Sequence, residues 1–419
     1  MNTRQKTQAG QHLTQMLTDA YTRLHERASQ KAFCVWIAIN VPAEIFSGFD
    51  HMVYAVPESH AALCAGKGIG DRMCEKAENI GYSPDLCAYA RIDIGNASDR
   101  GRESPTLGLP KPDLLVSNTN NCALLTKWFD VHHRQWGVPH FILDVPFCYG
   151  PQQEKDFRYI VRQIRDLIRY IEKLSGQRFN AEGFDAAVRH SWEGLAQWKR
   201  FLALARHRPS PITAFDSFVH MAPFLICRGT PALKTHYAIL TEEAERKLET
   251  GNLPVPNEEF RLFWDNIAPW HQLRRMSERL ARLDANIVGA SYTSCMGSVE
   301  GSFDLHTWDG QKPLEYIART MNAYMCPHGM DLRFNAMAGA VADLSVDGVV
   351  FASNQSCKPY SITQMDQQRR LKERLGIDSV MISVDHADVR KYSEENAFIR
   401  IETLLEMIRT RRHSPSRVN

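Results

Sequence analysis

Apolar positions along the first third of the chain follow two patterns, one typical of helices and one typical of strands. They fall at helical spacing between residues 10 and 30, and a β-rich apolar run from Ala32 to Ile39 follows directly. Further strands are predicted at Asp113–Ser117 and His140–Val145, with a helix over Cys122–Gln135 between them. Strand, helix and strand at this spacing form a βαβ unit, so the sheet should be parallel.

The middle of the chain changes to long, charged helical periodicity. This pattern spans about 152–207 and stops at the breaker Arg208-Pro209-Ser210-Pro211, and two further helices are predicted near 213–226 and 232–250. Strand patterns then return, with helices between them and a closing helix near 395–411. These strands are predicted at Phe260–Trp264, Asn286–Ser291, Gly348–Ala352 and Ser379–Val384.

The alternation predicts an α/β protein with two Rossmann-like parallel-sheet domains and a helical middle region. We expect an N-terminal α/β domain over 1–150, a helical region over 151–255 and a C-terminal α/β domain over 256–419. The two α/β halves could resemble each other in structure, although no sequence repeat relates them.

Composition and charge argue against two classes of partner, nucleic acids and membranes. Fifty basic and 48 acidic residues leave a formal charge of +2, and the charges are scattered, so no nucleic-acid partner is indicated. The N-terminus has no apolar segment typical of a signal peptide, and no window approaches the roughly 18 apolar residues that a membrane span needs. We therefore expect a cytoplasmic protein with no membrane partner.

The chain has ten cysteines but no CxxC pair. In a long chain without a secretory signal they indicate buried thiols or metal ligands rather than disulfides, and any cluster must be assembled from distant positions. Cys87, Cys122 and Cys357 are each predicted at the mouth of a loop that leads into a helix, where backbone N–H groups favour thiolate charge. Their spacing alone still favours three separate buried thiols.

Several segments match those of a known family, in the same order along the chain, and they favour a shared cluster over three separate thiols. They are NVPAEI (40–45), VPESHAA (56–62), CEKAENIGYSPDLCAYARIDIG (74–95), LPKPDLLVSNTNNC (109–122), KWFDV (127–131), LDVPF (143–147), RPSPITAFDSF (208–218), CRGT (227–230), WDNIAPW (264–270), SNQSCKPYS (353–361) and DHADVRKYSE (385–394). On these segments the chain resembles the benzoyl-CoA reductase/2-hydroxyacyl-CoA dehydratase family from about residue 30 to 405. The segments around Cys87 and Cys357 are the specific ones.

The resemblance implies a subunit in which Cys87, Cys122 and Cys357 ligate one [4Fe–4S] cluster, whose fourth iron has no protein thiol. It also implies a related second cluster subunit and a separate activator that hydrolyses ATP and supplies electrons. These electrons pass to a CoA thioester, which becomes a ketyl-type radical anion. The absence of a GxxxxGK[ST] loop agrees with ATP hydrolysis elsewhere. The other seven cysteines match no ligand position and are interpreted as structural: Cys34, Cys64, Cys74, Cys148, Cys227, Cys295 and Cys326.

Two residues of the VPESHAA segment are candidate catalytic groups. Glu58 matches a family position where a carboxylate near the cluster accepts or relays a proton, and His60 lies two residues further on. Proton movement must accompany reduction or dehydration of the thioester, so an acid/base group is expected. Without the resemblance, a lone Glu after Pro would be interpreted as a helix cap or a solvated charge.

One departure from the family bears on the reaction. Ile39 stands where the dehydratases have a Ser just before the Asn-x-Pro, which weakens a dehydratase interpretation and suits a flat apolar acyl group. The SNQSCKPYS segment is closer to the aryl-CoA reductases, whereas FDSFVHMA (215–222) and PESH are dehydratase-like. Our first hypothesis is an aryl-CoA (benzoyl-CoA type) reductase subunit, our second a 2-hydroxyacyl-CoA dehydratase subunit, and our third a non-catalytic stabilising subunit.

Overall fold

The frame of the protein is two four-stranded parallel sheets. The structure is a computed structural model that describes residues 7–294, 308–322, 326 and 328–413. The first sheet contains β1 (Phe33–Ile37), β2 (Met52–Ala55), β3 (Leu114–Asn118) and β4 (His140–Leu143). The second contains β5 (Phe260–Asp265), β6 (Ala285–Ala290), β7 (Gly348–Asn354) and β8 (Asp378–Val384).

Both sheets have the same strand order. It is β2-β1-β3-β4 in the first and β6-β5-β7-β8 in the second, and every pair is parallel. The predicted fold class is confirmed, and the two halves are alike in topology. In each sheet the chain winds first to one side and then to the other, so a switch point lies between β1 and β3 and another between β5 and β7.

The strands form in stretches that are rich in apolar residues, although β5 also contains Arg261 and Asp265. All six residues of β5 and all five of β3 are buried, as expected for parallel strands covered by helices on both faces. β2 was not predicted from the sequence. It is a four-residue strand at the edge of its sheet, and only its first and last residues are buried, so its apolar signal is short.

Helices cover both sheets and fill the middle of the chain. In the first half these are α1 (Gln8–Ser29), α2 (Pro57–Gly66), α3 (Gly70–Asn79), α4 (Ala88–Ser98) and α5 (Ala123–Trp136). The middle contains α6 (Glu154–Ser175), α7 (Ala181–Ala203), α8 (Ala214–His220), α9 (Pro223–Ile226) and α10 (Pro231–Thr250). The second half contains α11 (Leu273–Ala281), α12 (Ser291–Ser294), α13 (Pro313–Thr320), α14 (Met330–Asp343), α15 (Lys358–Ser361), α16 (Gln364–Leu375) and α17 (Glu394–His413).

The helical middle is bound to the N-terminal helix as well as to the sheets. The backbone N–H groups of Gln8 and Ala9 at the start of α1 donate to the Glu243 carboxylate on α10, over 2.9 and 3.2 Å. The division of the chain into three domains near 150 and 255 stays a prediction. None of the described helices combines the length and the apolar character that a bilayer crossing requires.

Candidate functional site

The carboxyl ends of the two sheets converge on one cavity of about 360 Å³. Ile39 follows β1 and Cys122 follows β3, and both line this cavity from the first switch point. Ile267 follows β5 and Cys357 follows β7, and both line it from the second. Ligands of open α/β sheets bind at such switch points, so the fold brings two binding crevices together here.

The structure brings the three predicted cluster cysteines together in the wall of this cavity. Cys87, Cys122 and Cys357 occupy the residues that immediately precede α4, α5 and α15. The loops are also joined to each other, since the backbone N–H of Ala88 donates to Oγ of Ser356 over 3.2 Å. Positions separated by 35 and 235 residues in sequence thus become neighbours.

Burial controls the charge of these thiols. Burial, together with the nearby Cys122 thiol, raises the pKa of Cys87 to about 12. Burial likewise raises the pKa of Cys122, and it raises that of Cys357 well above the usual range together with the charges of the neighbouring thiols. Backbone N–H groups of helices α4 and α5 oppose the shift at Cys87 and Cys122. Thiols in such a place become thiolates when a metal supplies positive charge.

This donor set fits an iron–sulfur cluster better than a single ion. Within the described ranges, no three His, Cys, Asp or Glu side chains lie close enough to share one metal ion. A four-iron cluster places its cysteine ligands on separate iron atoms and therefore accepts thiols spread around a larger cavity. The three thiols, the enclosed space and the backbone donors meet that requirement.

His386 lies against the Cys87 thiol, with 3.8 Å between its Nε2 and the sulfur. The Asn354 amide nitrogen donates to the Ile267 carbonyl over 2.7 Å, so its Oδ1 is the acceptor that faces Nδ1 of His386 at 3.1 Å. Nδ1 of His386 therefore carries the proton and Nε2 is free to accept one. This arrangement gives the Cys87 proton an acceptor when the thiol binds metal.

Glu58 is the buried carboxylate of the site. It lies in the first turn of α2, is only 5% exposed, and lines the cavity with the cysteines. Its Oε1 accepts the backbone N–H of Ile39 over 3.1 Å, whereas Oε2 has no hydrogen-bond partner among the described residues. Burial raises the pKa of Glu58 from 4.5 to about 7, against the backbone hydrogen bonds that lower it. A carboxyl group with this pKa can hold or release a proton near neutral pH.

The structure does not bring His60 to the same cavity. Residues two apart on a helix point in different directions, and His60 instead lines a separate cavity of about 260 Å³ beside Asp93. Its Nε2 lies 2.8 Å from Oγ of Ser104, and burial lowers its pKa to about 4. A catalytic role for His60 stays a prediction, and its position gives it no contact with the cysteines' cavity.

A second, larger cavity of about 690 Å³ adjoins the first. The residues shared by both walls are Ile39, Glu58, Tyr89, Met221 and Tyr292. Beyond them the larger cavity is lined by aromatic side chains, including Phe215, Phe218 and Trp270. Its wall also contains three exposed cations, Lys67, Arg274 and Arg275.

Sequence reasoning missed three residues of the site. Tyr89 stands at the junction of the two cavities, where its hydroxyl accepts the indole N–H of Trp270. His386 touches Cys87, and Cys326 lines the cysteines' cavity although the resemblance assigns it no ligand position. Tyr89 and His386 lie inside the family segments and could have been found there, whereas nothing around Cys326 in the sequence distinguishes it. Cys295 lies outside the described residues.

Comparison with known proteins gives relatives that match nearly the whole chain. The (R)-phenyllactyl-CoA dehydratase alpha subunit of Clostridium sporogenes is 30% identical over 380 residues, which cover 89% of each chain. The (R)-2-hydroxyisocaproyl-CoA dehydratase alpha subunit of Clostridioides difficile is 28% identical over 97% of this chain and 98% of its own. A benzoyl-CoA reductase subunit of Thauera aromatica is 26% identical over 96% of this chain and 95% of its own.

The family model of the 2-hydroxyglutaryl-CoA dehydratase D-component matches residues 38–408. That range contains all the described strands except β1, together with all three predicted cluster cysteines and Glu58. The resemblance found in the sequence segments is confirmed, and the chain belongs to the family of 2-hydroxyglutaryl-CoA dehydratase D-components, which includes 2-hydroxyacyl-CoA dehydratase alpha subunits and a benzoyl-CoA reductase subunit.

Proposed function

We propose that this chain is the [4Fe–4S] subunit of an ATP-activated enzyme that reduces an aryl-CoA thioester. The observation that carries the proposal is the single cavity in which Cys87, Cys122 and Cys357 meet Glu58. The three thiols would hold the cluster and leave one iron facing the acyl group. When bound, such a cluster supplies electrons one at a time at low potential.

The protein's own groups would bind the thioester and manage its proton. The larger cavity is of the size that encloses small-molecule ligands, and its aromatic lining suits a flat acyl group. The exposed Lys67, Arg274 and Arg275 suit the phosphates of CoA. Glu58, at the junction of the two cavities, is the group that would give a proton to the acyl portion or take one from it.

Ile39 supports reduction over dehydration. Its backbone N–H orients Glu58, and its side chain lines the junction of the cavities. No hydroxyl is therefore supplied from this position to bind a 2-hydroxyl group of the substrate, which is the group a dehydratase must recognise. The apolar side chain favours an acyl group without that hydroxyl.

Dehydration of a 2-hydroxyacyl-CoA is the second candidate function. Four relatives are named as alpha subunits of dehydratases for phenyllactyl-, 2-hydroxyisocaproyl-, lactoyl- and 2-hydroxyglutaryl-CoA. The phenyllactyl substrate carries an aromatic ring, which the aromatic cavity would also suit. In either case the subunit names of the relatives support a partner subunit, and the family resemblance supports a separate ATP-hydrolysing activator.

Two measurements test the proposal. Iron and acid-labile sulfide are first assayed on anaerobically purified protein, where we expect one four-iron cluster per chain. The chain, assembled with its partner subunit, activator, ATP and reductant, is then given benzoyl-CoA and, separately, (R)-phenyllactyl-CoA. A dienoyl-CoA product supports the reductase and an enoyl-CoA product the dehydratase. A protein that folds but binds no cluster would exclude both and leave the non-catalytic subunit.

A further inference from the structure

Cys326 is a fourth thiol in the wall of the cysteines' cavity. It is only partly buried, and it lies close enough to Cys122 and Cys357 for their charges to act on one another. The three cysteines of the family segments are therefore not alone around this space. Four thiolates are the complete ligand set of an ordinary [4Fe–4S] cluster.

Hydrogen bonds join the described residues that flank Cys326 to the Cys122 loop and to each other. Asn120, two residues before Cys122, donates from its side-chain amide to the Met321 carbonyl over 2.8 Å. On the other side, Nε2 of His328 lies 2.7 Å from the Asn322 carbonyl. These bonds hold Met321 and Asn322, before Cys326, beside the Cys122 loop, and they hold His328, after Cys326, to Asn322.

A buried cation near Cys326 has no anionic partner in the described part of the chain. Arg333 is 5% exposed, lies 4.4 Å from the Tyr360 ring centroid and donates to the carbonyls of Pro359 and Tyr360, while its Nε has no hydrogen-bond partner. The charge of Arg333 acts on Asp265, but the Asp265 carboxylate accepts hydrogen bonds from Ser291 and Gln364 and not from Arg333. A buried guanidinium without a carboxylate is costly unless another negative charge lies nearby.

We infer that Cys326 is the fourth thiolate ligand of the cluster in the resting protein. The inference rests on the proposed function, because it requires the cluster. Its thiol would release its proton to solvent as the sulfur bonds to the iron that the other three cysteines leave open, and Arg333 would balance the added negative charge. Substrate could then reach that iron only after the Cys326 thiolate has left it, so Cys326 would protect the open position until the thioester binds.

The test compares the wild type with Cys326→Ala and Cys326→Ser after anaerobic reconstitution, without turnover. Cys227→Ser is the matched control, since this partly buried cysteine lines neither cavity. Mild oxidation with ferricyanide removes the one iron that lacks a thiolate and leaves a three-iron cluster visible by EPR. We expect the wild type and Cys227→Ser to keep all four irons, and both Cys326 variants to give the three-iron signal.

The inference is overturned if the wild type gives the three-iron signal as readily as Cys326→Ala, or if the wild-type Mössbauer spectrum shows one iron with an oxygen or nitrogen ligand. The Mössbauer measurement needs no variant, so it decides the matter even if the substitutions impair folding. A wild type that binds no cluster would overturn the proposed function itself. A four-iron cluster that behaves in the same way in the wild type and in the Cys326 variants would overturn this inference alone.

Discussion

Glu58 has two properties that its proposed role in proton transfer requires. One oxygen is held by the Ile39 N–H, which fixes the orientation of the carboxyl group, and burial has brought its pKa to about 7. Because the pKa in the folded protein lies above the unfolded value, the fold binds this proton more tightly than the unfolded chain does. The stability contributed by protonated Glu58 is present below pH 4.5 and is lost as pH rises through 7.

Replacing Glu58 by glutamine should lower turnover without lowering the stability of the fold at pH 8. Glutamine keeps the shape but cannot act as an acid or base, so turnover should fall roughly 10²- to 10⁴-fold while the iron content is unchanged. The variant should not be less stable at pH 8, where ionised Glu58 costs the wild type up to about 3 kcal/mol. Urea unfolding at pH 5 and pH 8 measures this, and unchanged turnover would remove Glu58 from the mechanism.

At the scale of elements, helix α4 positions Cys87 through its close packing on α3. Gly95 lies in the middle of α4, and a Cβ atom built there would come within 2.1 Å of the Met73 carbonyl oxygen on α3. Only glycine lets the two backbones approach this closely. Since Cys87 precedes the first residue of α4, a displacement of the helix would displace that thiol.

We therefore expect Gly95→Ala to destabilise the protein by about 1–3 kcal/mol, because the added methyl overpacks the contact with α3. Iron bound per chain should fall with it. Gly339→Ala is the matched control, since this helical glycine in α14 faces open space and alanine should gain up to about 1 kcal/mol there. Denaturant unfolding and iron analysis check both variants. Equal stability of the two would show that α3 and α4 tolerate separation.

At the scale of the whole molecule, charged groups join the two halves beside the site. Arg91 on α4 is fully buried, and its guanidinium pairs with Asp388, after β8, over 2.8 Å and with Glu78, on α3, over 2.6 Å. Arg390 joins the same group of charges by pairing with Asp388 and Glu78. Burial alone would raise the pKa of Asp388, but the hydrogen bonds from Arg390 and Arg91 lower it to about 2.

Asp388→Asn should therefore destabilise the protein by about 3 kcal/mol or more at pH 7, because it removes the fully buried one of the two carboxylates that pair with the buried Arg91. The difference from the wild type should shrink as pH falls from 3.8 toward 2, where Asp388 itself becomes protonated. Glu75→Gln, which removes a surface partner of Arg390, should change stability by less than about 0.5 kcal/mol. Urea unfolding of the two variants at pH 7 and pH 3 makes the comparison, and equal stabilities at pH 7 would contradict this role.

Much of the fold could be predicted from the sequence because most of its strands are rich in apolar residues that the fold buries. Apolar-rich runs such as 260–264, which only Arg261 interrupts, and 348–352 are a strong local signal, and seven of the eight described strands were found from it. β2 was missed because an edge strand of four residues has little apolar sequence to distinguish it. Cys87, Cys122, Cys357 and Glu58 were singled out by the segments that surround them, and local periodicity alone would have left them as isolated residues.

The sequence by itself determined the fold class, the family and which three thiols to examine, because these depend on local patterns and ordered segments. Tertiary structure decided what meets at the site. It placed Glu58 inside and His60 outside the cysteines' cavity, because a helix turns between them. It brought Cys326 to the cavity of Cys122 and His386 to Cys87, each across more than 200 residues of chain, and it raised the pKa of Glu58 by removing water. Proximity and burial are properties of the packed chain, which no single segment contains.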